Sequence, residues 1–409
     1  MSNTLLTPKV YANTMLKLLK NNLVMGKLVT TQFNDVFKKV GQTVYVKRPP
    51  EFIVREGNVA QVQAVTEGEV PITMNRQRGI DISFSSLEDT LTVTDLLKNA
   101  VMQAQAAQLA QTIDSDLMAM TLEFPSWVGT PGNLIASPTD FFYAPEQLDL
   151  MGVPSDDRNG VLSPQDHYKL AGSFTGLYAG QGDLAKTAIE KAQIPIIGDV
   201  QPYKTQSVIA LQTGTRTVSG AGQIAGAGQN VSYTQVNQSD YSQPLNLSGL
   251  TAGQTIRAGE VFTVANVNAV NPRTKVAYGP AQFVNLADAV VAGGGTVTLQ
   301  IANPIIVSGA FQTVDSAPAN NAAVTFLGAA NGSFRQNAVF HKSAIALVFA
   351  KLTVPYTGEA SYATDPETGV SIRYWRTSDG TNDTHLHRWD VLYGVKNIDR
   401  RLGTRISGQ

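Results

Sequence analysis

Across 409 residues the sequence has no cysteine. Disulfide staples, thiolate metal sites and cysteine nucleophiles are excluded with it, which leaves stability to packing and to contacts with other chains. Charge is also scarce. Only 15% of residues are charged, and 31 Lys and Arg against 32 Asp and Glu give a formal net charge of -1. No whole-molecule field therefore exists to gather nucleic acid or anionic lipid. Long apolar runs are missing too: from Met1 to Thr30, Leu5, Leu6, Met15, Leu16, Leu18 and Leu19 alternate with Lys9, Lys17, Lys20 and Lys27. That pattern is neither signal peptide nor membrane span. What remains is 43% hydrophobic residues, with 35 glycines and 19 prolines. Such a chain builds a large core in about two or three lobes, rich in turns and short strands, with helix confined to a few segments.

Two helices stand out. Val10, Met15, Leu18, Leu19 and Leu23 recur at helical spacing between Thr7 and Leu28, and Thr7-Pro8 supplies a cap and first position. Lys38, Lys39, Lys47, Arg48 and Arg55, opposed only by Asp35 and Glu51, make this end locally basic. A solvated face and a contact with nucleic acid or an acidic partner both fit. The clearest helix is Thr94 to Leu122, with Leu97, Val101, Leu109, Ile113, Leu117 and Met120 on related faces and no internal Gly or Pro. It would span roughly 43 Å. Its Ala- and Gln-rich stretch from Gln103 to Gln111 lets a neighbouring element approach closely.

Strand patterns fill much of the rest. Val44, Val46, Phe52 and Val54, then Ile72, Met74, Ile80, Ile82 and Phe84, alternate with polar residues between Gly41 and Ser85 and predict two long arms of a hairpin. The polar stretch Glu56 to Val70 is its tip. Asn159-Gly160 and Val161-Leu162 predict a turn and strand feeding a capped helix from Ser163-Pro164. A further helix is expected over Ala179–Ala192 and a short strand at Ile194–Gly198. From Gln212 to Phe326 charges almost vanish, and Val231–Tyr233, Thr255–Ile256, Val261–Val264, Lys275–Tyr278, Gln282–Val284, Thr296–Ile301 and Ile305–Val307 read as strands of a small barrel or sandwich. Strands then return at Ala344–Phe349, Ser371–Arg376 and Trp389–Val395, so this β-unit interrupts a domain of mixed character.

Chemical motifs are weak. The Gly220–Gly228 stretch lacks the Lys-Ser/Thr of a phosphate loop and opens no helix. His385-Leu-His387 places two imidazoles on one face of a strand, but His167 and His341 are distant and no third metal ligand is evident. Asp365-Pro-Glu-Thr-Gly369 lacks the oxygen spacing of a calcium loop. No nucleophile elbow or zinc-protease helix is present, and no paired acid and base can be nominated. No enzyme and no cofactor is expected. The basic C-terminal set Arg388, Lys396, Arg400, Arg401 and Arg405 fits solvated surface, intersubunit salt bridges or nucleic-acid contact.

Several segments carry a resemblance. Ser163-Pro-Gln-Asp-His-Tyr-Lys-Leu-Ala-Gly172, Leu250-Thr-Ala-Gly-Gln-Thr-Ile-Arg-Ala-Gly-Glu-Val-Phe262, Ala344-Ile-Ala-Leu-Val348 and Leu392-Tyr-Gly-Val395 resemble, in order and context, the coat proteins of short-tailed phages of the P22 type. The resemblance implies the Hong Kong 97 capsid fold, an α+β architecture with an inserted all-β, barrel-like domain. It divides the chain into an N-terminal arm (1–40), an extended loop (41–85), a peripheral domain with a spine helix (86–159), a first axial part (160–211), the insert (212–328) and returning axial or peripheral strands (329–409). It further implies hexamers and pentamers in an icosahedral virion shell, a scaffolding protein, a portal, packaged double-stranded DNA bound without sequence preference, no membrane, and assembly in the host bacterial cytoplasm. Arg55, Glu56, Glu67 and Glu69 of the extended loop, with Asp240 and Tyr241 in a protruding loop of the insert, are the expected intersubunit contacts.

Two other readings compete. One is an encapsulin-like compartment of the same fold, which encloses protein cargo. The other makes the β-rich insert a carbohydrate-binding or adhesion module, with Tyr233, Tyr241 and Tyr278 stacking on sugars.

Overall fold

The structure, a computed structural model, describes residues 8–31, 43–91, 100–174, 192, 194–216, 222–366 and 368–409. It divides into two compact units, one holding Met1–Tyr45, Pro71–Leu117 and Ile345–Lys396, the other Val46–Val70, Met118–Ala344 and Asn397–Gln409. The expected helix over Ala179–Ala192, its last residue apart, and the first residues of the Thr94–Leu122 helix lie outside the described residues.

The first unit is built on a sheet ordered Ile345–Ala350, Thr384–Asn397, Ser371–Asp379, Glu359–Thr364, with Arg76–Ser85 also paired along Thr384–Asn397. Ile345–Ala350 is buried at every position, as its unbroken apolar run predicts. The helix Pro8–Asn22 lies against Glu359–Thr364 and Ser371–Asp379, burying Ala12, Met15, Leu16 and Leu19 and stacking Tyr11 on Tyr374 with ring centroids 5.3 Å apart. The periodicity predicts one helix to Leu28, but the chain breaks after Asn22 and resumes as the single turn Met25–Leu28. The cause is distant in sequence. Asp114, on the helix Ala100–Thr121, accepts hydrogen bonds from the Val24 and Gly26 amides at 2.8 and 3.2 Å and takes the place of the helical carbonyls.

Burial pushes the Asp114 carboxyl up to about 6, against the lowering effect of the Val24, Gly26 and Met25 amides. The folded protein thus holds this proton more tightly than the unfolded chain. Stability should fall as pH rises from about 4 to about 6, with a penalty of about 3 kcal/mol fully in place above that window. Asp114→Asn is expected to flatten this dependence. Urea midpoints measured between pH 4 and 7 check it, and an identical slope in both proteins would refute it.

In the second unit a five-stranded sheet runs in the order Ser126–Val128, Gly403–Ile406, Asn337–His341, Arg158–Leu162, Val200–Lys204. Its outer pairs are parallel and its inner pairs antiparallel. The helices Pro138–Leu150 and Pro164–Phe174 pack on it through Phe141, Ala144, Leu148, Leu170 and Phe174. Asp166 explains the Ser163-Pro-Gln-Asp segment. Buried, it accepts from the Ile135 amide at 3.1 Å, Ser163 Oγ at 2.6 Å and Asn337 Nδ2 at 2.9 Å, tying helix, loop and central strand together. Ile194–Gly198 is no strand: Ile197 forms only a single bridge with Val200 across a turn at Gly198 and Asp199, both at positive φ, and the sheet strand begins at Val200.

The insert is a six-stranded sheet ordered Val324–Phe326, Val261–Val270, Ala277–Asn285, Val297–Ala302, Ser242–Ser248, Gln223–Ile224. Its two edges meet, with the Ile224 amide donating to Ala322 O and the Val324 amide to Gly222 O, each at 3.0 Å. Closure removes both free edges, and Leu245, Leu299, Phe262 and Phe283 fill the interior. The chain enters and leaves side by side, since Ala210–Gln212 pairs antiparallel with Ser333–Arg335. Four expected strands change. Lys275–Tyr278 and Gln282–Val284 merge into Ala277–Asn285, and Val231–Tyr233 gives way to a 3-10 turn at Tyr233–Gln235. Ile305–Val307 follows a left-handed turn at Asn303 (φ 64°) and stays out of the sheet.

Candidate intersubunit contact site

Thr43–Lys47 pairs with Glu69–Thr73 in a two-stranded ribbon. The expected hairpin stops there. Phe52 and Val54 form no strand, and Arg76–Ser85, whose alternation fits an outer arm, instead pairs with the returning strand Thr384–Asn397. A period of two marks a strand without naming its partner.

Beyond the ribbon, residues 52–65 are exposed without exception. Phe52, Ile53, Val54, Val59, Val62 and Val65 are between 49% and 97% exposed. The loop carries little order of its own. The Gln63 amide group imitates a ladder partner for Ile53, accepting from its N–H at 2.9 Å and donating to its carbonyl at 2.5 Å. Arg55 donates to the carbonyls of Gly57 and Val59. Glu56 is exposed beside it, Glu67 pairs with Lys47 at 2.6 Å, and Glu69 lies on the exposed face of the ribbon. Those four expected residues thus share one projecting feature.

The other two do not join it as expected. Tyr241 is buried, 4% exposed, and does not protrude. Asn237 and Ser242 exchange backbone hydrogen bonds at 3.0 and 3.3 Å, and this tight turn folds the Tyr241 ring inward, where the guanidinium carbons of Arg48 and Arg401 lie 5.1 and 5.0 Å from its centre. Asp240 is partly exposed beside it, its carbonyl accepting from Arg400. Tyr233 is buried as well and Tyr278 is partly buried, with burial pushing its hydroxyl up to about 12. Tyr233 and Tyr241 therefore present no face to a sugar, and Tyr278 only part of one.

Three members of the basic C-terminal set, Arg400, Arg401 and Arg405, are buried or paired within the subunit, whereas Arg388 and Lys396 are partly exposed. Arg401 binds Asp399 at 2.8 Å and Glu51 at 2.7 Å, and Arg400 binds Glu123 at 2.6 Å. Burial works to raise the Asp399 carboxyl, yet Arg401 and Arg48 override it and hold it below the usual range. Arg405 is fully buried, donating to the carbonyls of Phe124 and Gly259 and to Gln336 while its charge lies over the Trp127 ring. Burial alone lowers its pKa to about 9. Sequence spacing could not show this, because, Asp399 beside Arg401 apart, these partners lie far along the chain.

The paired histidines are likewise held by neighbours. His387 Nδ1 meets Tyr374 Oη at 2.7 Å and His385 Nδ1 meets Ser378 Oγ at 2.8 Å. Among the described residues no group of three or more His, Asp and Glu is placed to hold a metal ion, and no helix is long and apolar enough to cross a membrane.

The described residues thus hold two mixed units, the second carrying the inserted barrel and the exposed apolar loop, and the class they belong to, that of coat proteins, is given by the family match. The chain belongs to the P22 coat protein family, whose model, described as P22 coat protein, gene protein 5, matches residues 2–408. It is a major capsid protein of a phage shell. No curated protein matches it. Similar solved structures include one from Mycobacterium phage Che8, 12% identical over 94% of this chain and 90% of that one with a TM-score of 0.49. Another is the capsid of cyanophage P-SCSP1u, 11% identical over 95% and 88% with a TM-score of 0.44. A third is a virus-like particle from Pyrococcus furiosus, 7% identical over 98% of each chain with a TM-score of 0.40. Family membership rests on the match along the whole chain.

Proposed function

We propose that copies of this chain close into hexamers and pentamers of an icosahedral shell around double-stranded DNA, with the loop at residues 48–68 as the principal contact between subunits. The observation that carries this reading is the run of six exposed apolar side chains between Phe52 and Val65, a stretch of the loop that is exposed throughout. Solvated loops of a finished monomer are polar at such positions, and apolar surface of this kind marks an interaction site. Arg55, Glu56, Glu67 and Glu69 border the apolar side chains and fix register with a neighbour, and Asp240 adds a charge from the insert. Tyr241 contributes from inside, by holding the loop's root. In the Hong Kong 97 arrangement the first unit corresponds to the peripheral domain and the five-stranded sheet of the second to the axial domain. Assembly takes place in the host cytoplasm, guided by a scaffolding protein and a portal. The near-neutral chain needs only to tolerate DNA phosphates on the inner surface.

Electron microscopy of the purified chain, alone and with a co-expressed scaffolding protein, tests the proposal. Closed particles are expected with the scaffold, and sheets or irregular shells without it. A strictly monomeric chain at high concentration under both conditions would overturn it.

A further inference from the structure

The loop's own hydrogen bonds are too few to fix where it points, so its direction has to be set at its root. There the two strands of the ribbon are joined by the Arg48 amide donating to Gly68 O at 2.8 Å. On the outgoing side the Arg48 side chain turns away from the ribbon. Its Nε donates to Ile398 O and its Nη1 to Gln238 O, each at 2.9 Å, and its charge lies over Tyr241. Three residues on, Glu51 is held by Arg401, whose charge lies over the same ring. On the returning side, a side-chain carbon at Gly68 would come within 2.6 Å of Tyr233 Oη, so this strand lies directly on the insert. Tyr233 is in turn stacked on Phe311 at 3.7 Å.

We infer that Arg48 and Tyr241 are positioning residues, through which the inserted barrel sets the direction in which the extended loop leaves the subunit. The inference rests on the loop being the assembly contact. Two features mark this cluster as more than packing. Tyr241, a bulky residue, is held at φ 49°, a left-handed conformation that side chains of its size rarely adopt. In addition, Tyr241 Oη, Arg48 Nη2 and Glu51 Oε2 are all buried without a hydrogen-bond partner. Apolar groups of the same shape would avoid the cost of burying the Arg48 and Glu51 charges. This cluster keeps a planar cation against a ring, an arrangement that holds the loop's root at a defined angle.

The chain has no cysteine, so two can be introduced as unique labelling sites. Gln61→Cys in the loop and Ala292→Cys on the barrel are both exposed. With nitroxide labels on this pair, the distance distribution in the unassembled full-length chain should be narrow. Arg48→Ala and Tyr241→Leu are each expected to widen it at least about twofold, whereas Tyr241→Phe, which keeps the ring and loses only an unpartnered hydroxyl, leaves it narrow. Gly68→Ala, which displaces Tyr233 with Arg48 intact, widens it as well and serves if Arg48→Ala fails to fold. A distribution already broad in the parent, or unchanged in the folded variants, would overturn the inference. Because the measurement precedes assembly, absence of shells in the parent counts against the assembly reading alone.

Discussion

Val54→Asp combined with Val62→Asp is expected to abolish shell formation while leaving the subunit folded. Val54 is 90% exposed and Val62 97%, so neither contributes to its own subunit's core. Surface replacements at such positions change folding stability by about 0.5 kcal/mol or less. In a contact between copies the balance reverses. Each valine buried against a neighbour contributes about 1.5–3 kcal/mol, and an aspartate forced into the same place adds a desolvation cost of several kcal/mol. Every subunit of the shell would carry the defect, and weak contacts that succeed only in number fail together. Sedimentation velocity should show free subunits where the parent sediments as particles, with thermal unfolding of the two unassembled proteins the same. Particles at parental yield would refute the role given to the loop.

Arg216→Met should destabilise the insert more than any surface change. Arg216 and Glu260 form an ion pair whose side chains are 1% and 0% exposed, and the guanidinium also lies over the Phe326 ring. Burial raises the Glu260 carboxyl, with Arg216 and the amides of Arg257 and Gly214 acting against it. Methionine restores the volume but leaves a buried carboxylate without its counter-charge, a loss of about 3–5 kcal/mol. Two further results identify the cause. Lowering the pH should recover part of the loss, because a protonated Glu260 needs no partner. The double variant Arg216→Met with Glu260→Met should recover most of it, because the desolvation cost disappears with the charges. Denaturation of the full-length chain at two pH values measures both. Equal losses in the single and double variants would show that packing, not charge, is what matters at this site.

Where the signal is local, the residues announce their structure. The unbroken run Ile345–Ala350 makes a fully buried strand, Ser163-Pro164 opens the helix Pro164–Phe174, and the drop in charge at Gln212 marks the insert. The helix Pro138–Leu150 has an equally local signal that the sequence reading missed. Ser137 and Asp140 form a capping box with Pro138 at the first position, and Pro145 within the helix hides the periodicity behind it. The candidate site was half legible. Its position between two alternating strands and its charged residues could be read directly, whereas its exposed valines alternate too loosely to stand out as one surface. The family resemblance places Tyr241 in a protruding loop, and nothing local indicates that Arg48 and Arg401, 193 and 160 positions away, close over its ring.

Composition and periodicity alone determined that this chain builds a mixed α+β body around an inserted β-unit, and that no thiol chemistry takes part. Those properties follow from each residue's own backbone preference and polarity. Which strands pair, where the hairpin ends, and whether an arginine is solvated or enclosed were decided by tertiary structure. Arg76–Ser85 joins a strand about 300 residues away and Arg405 finds its acceptors at Phe124, Gly259 and Gln336. A buried polar group is satisfied by whatever the fold brings within about 3 Å, and distance along the chain has no part in that choice.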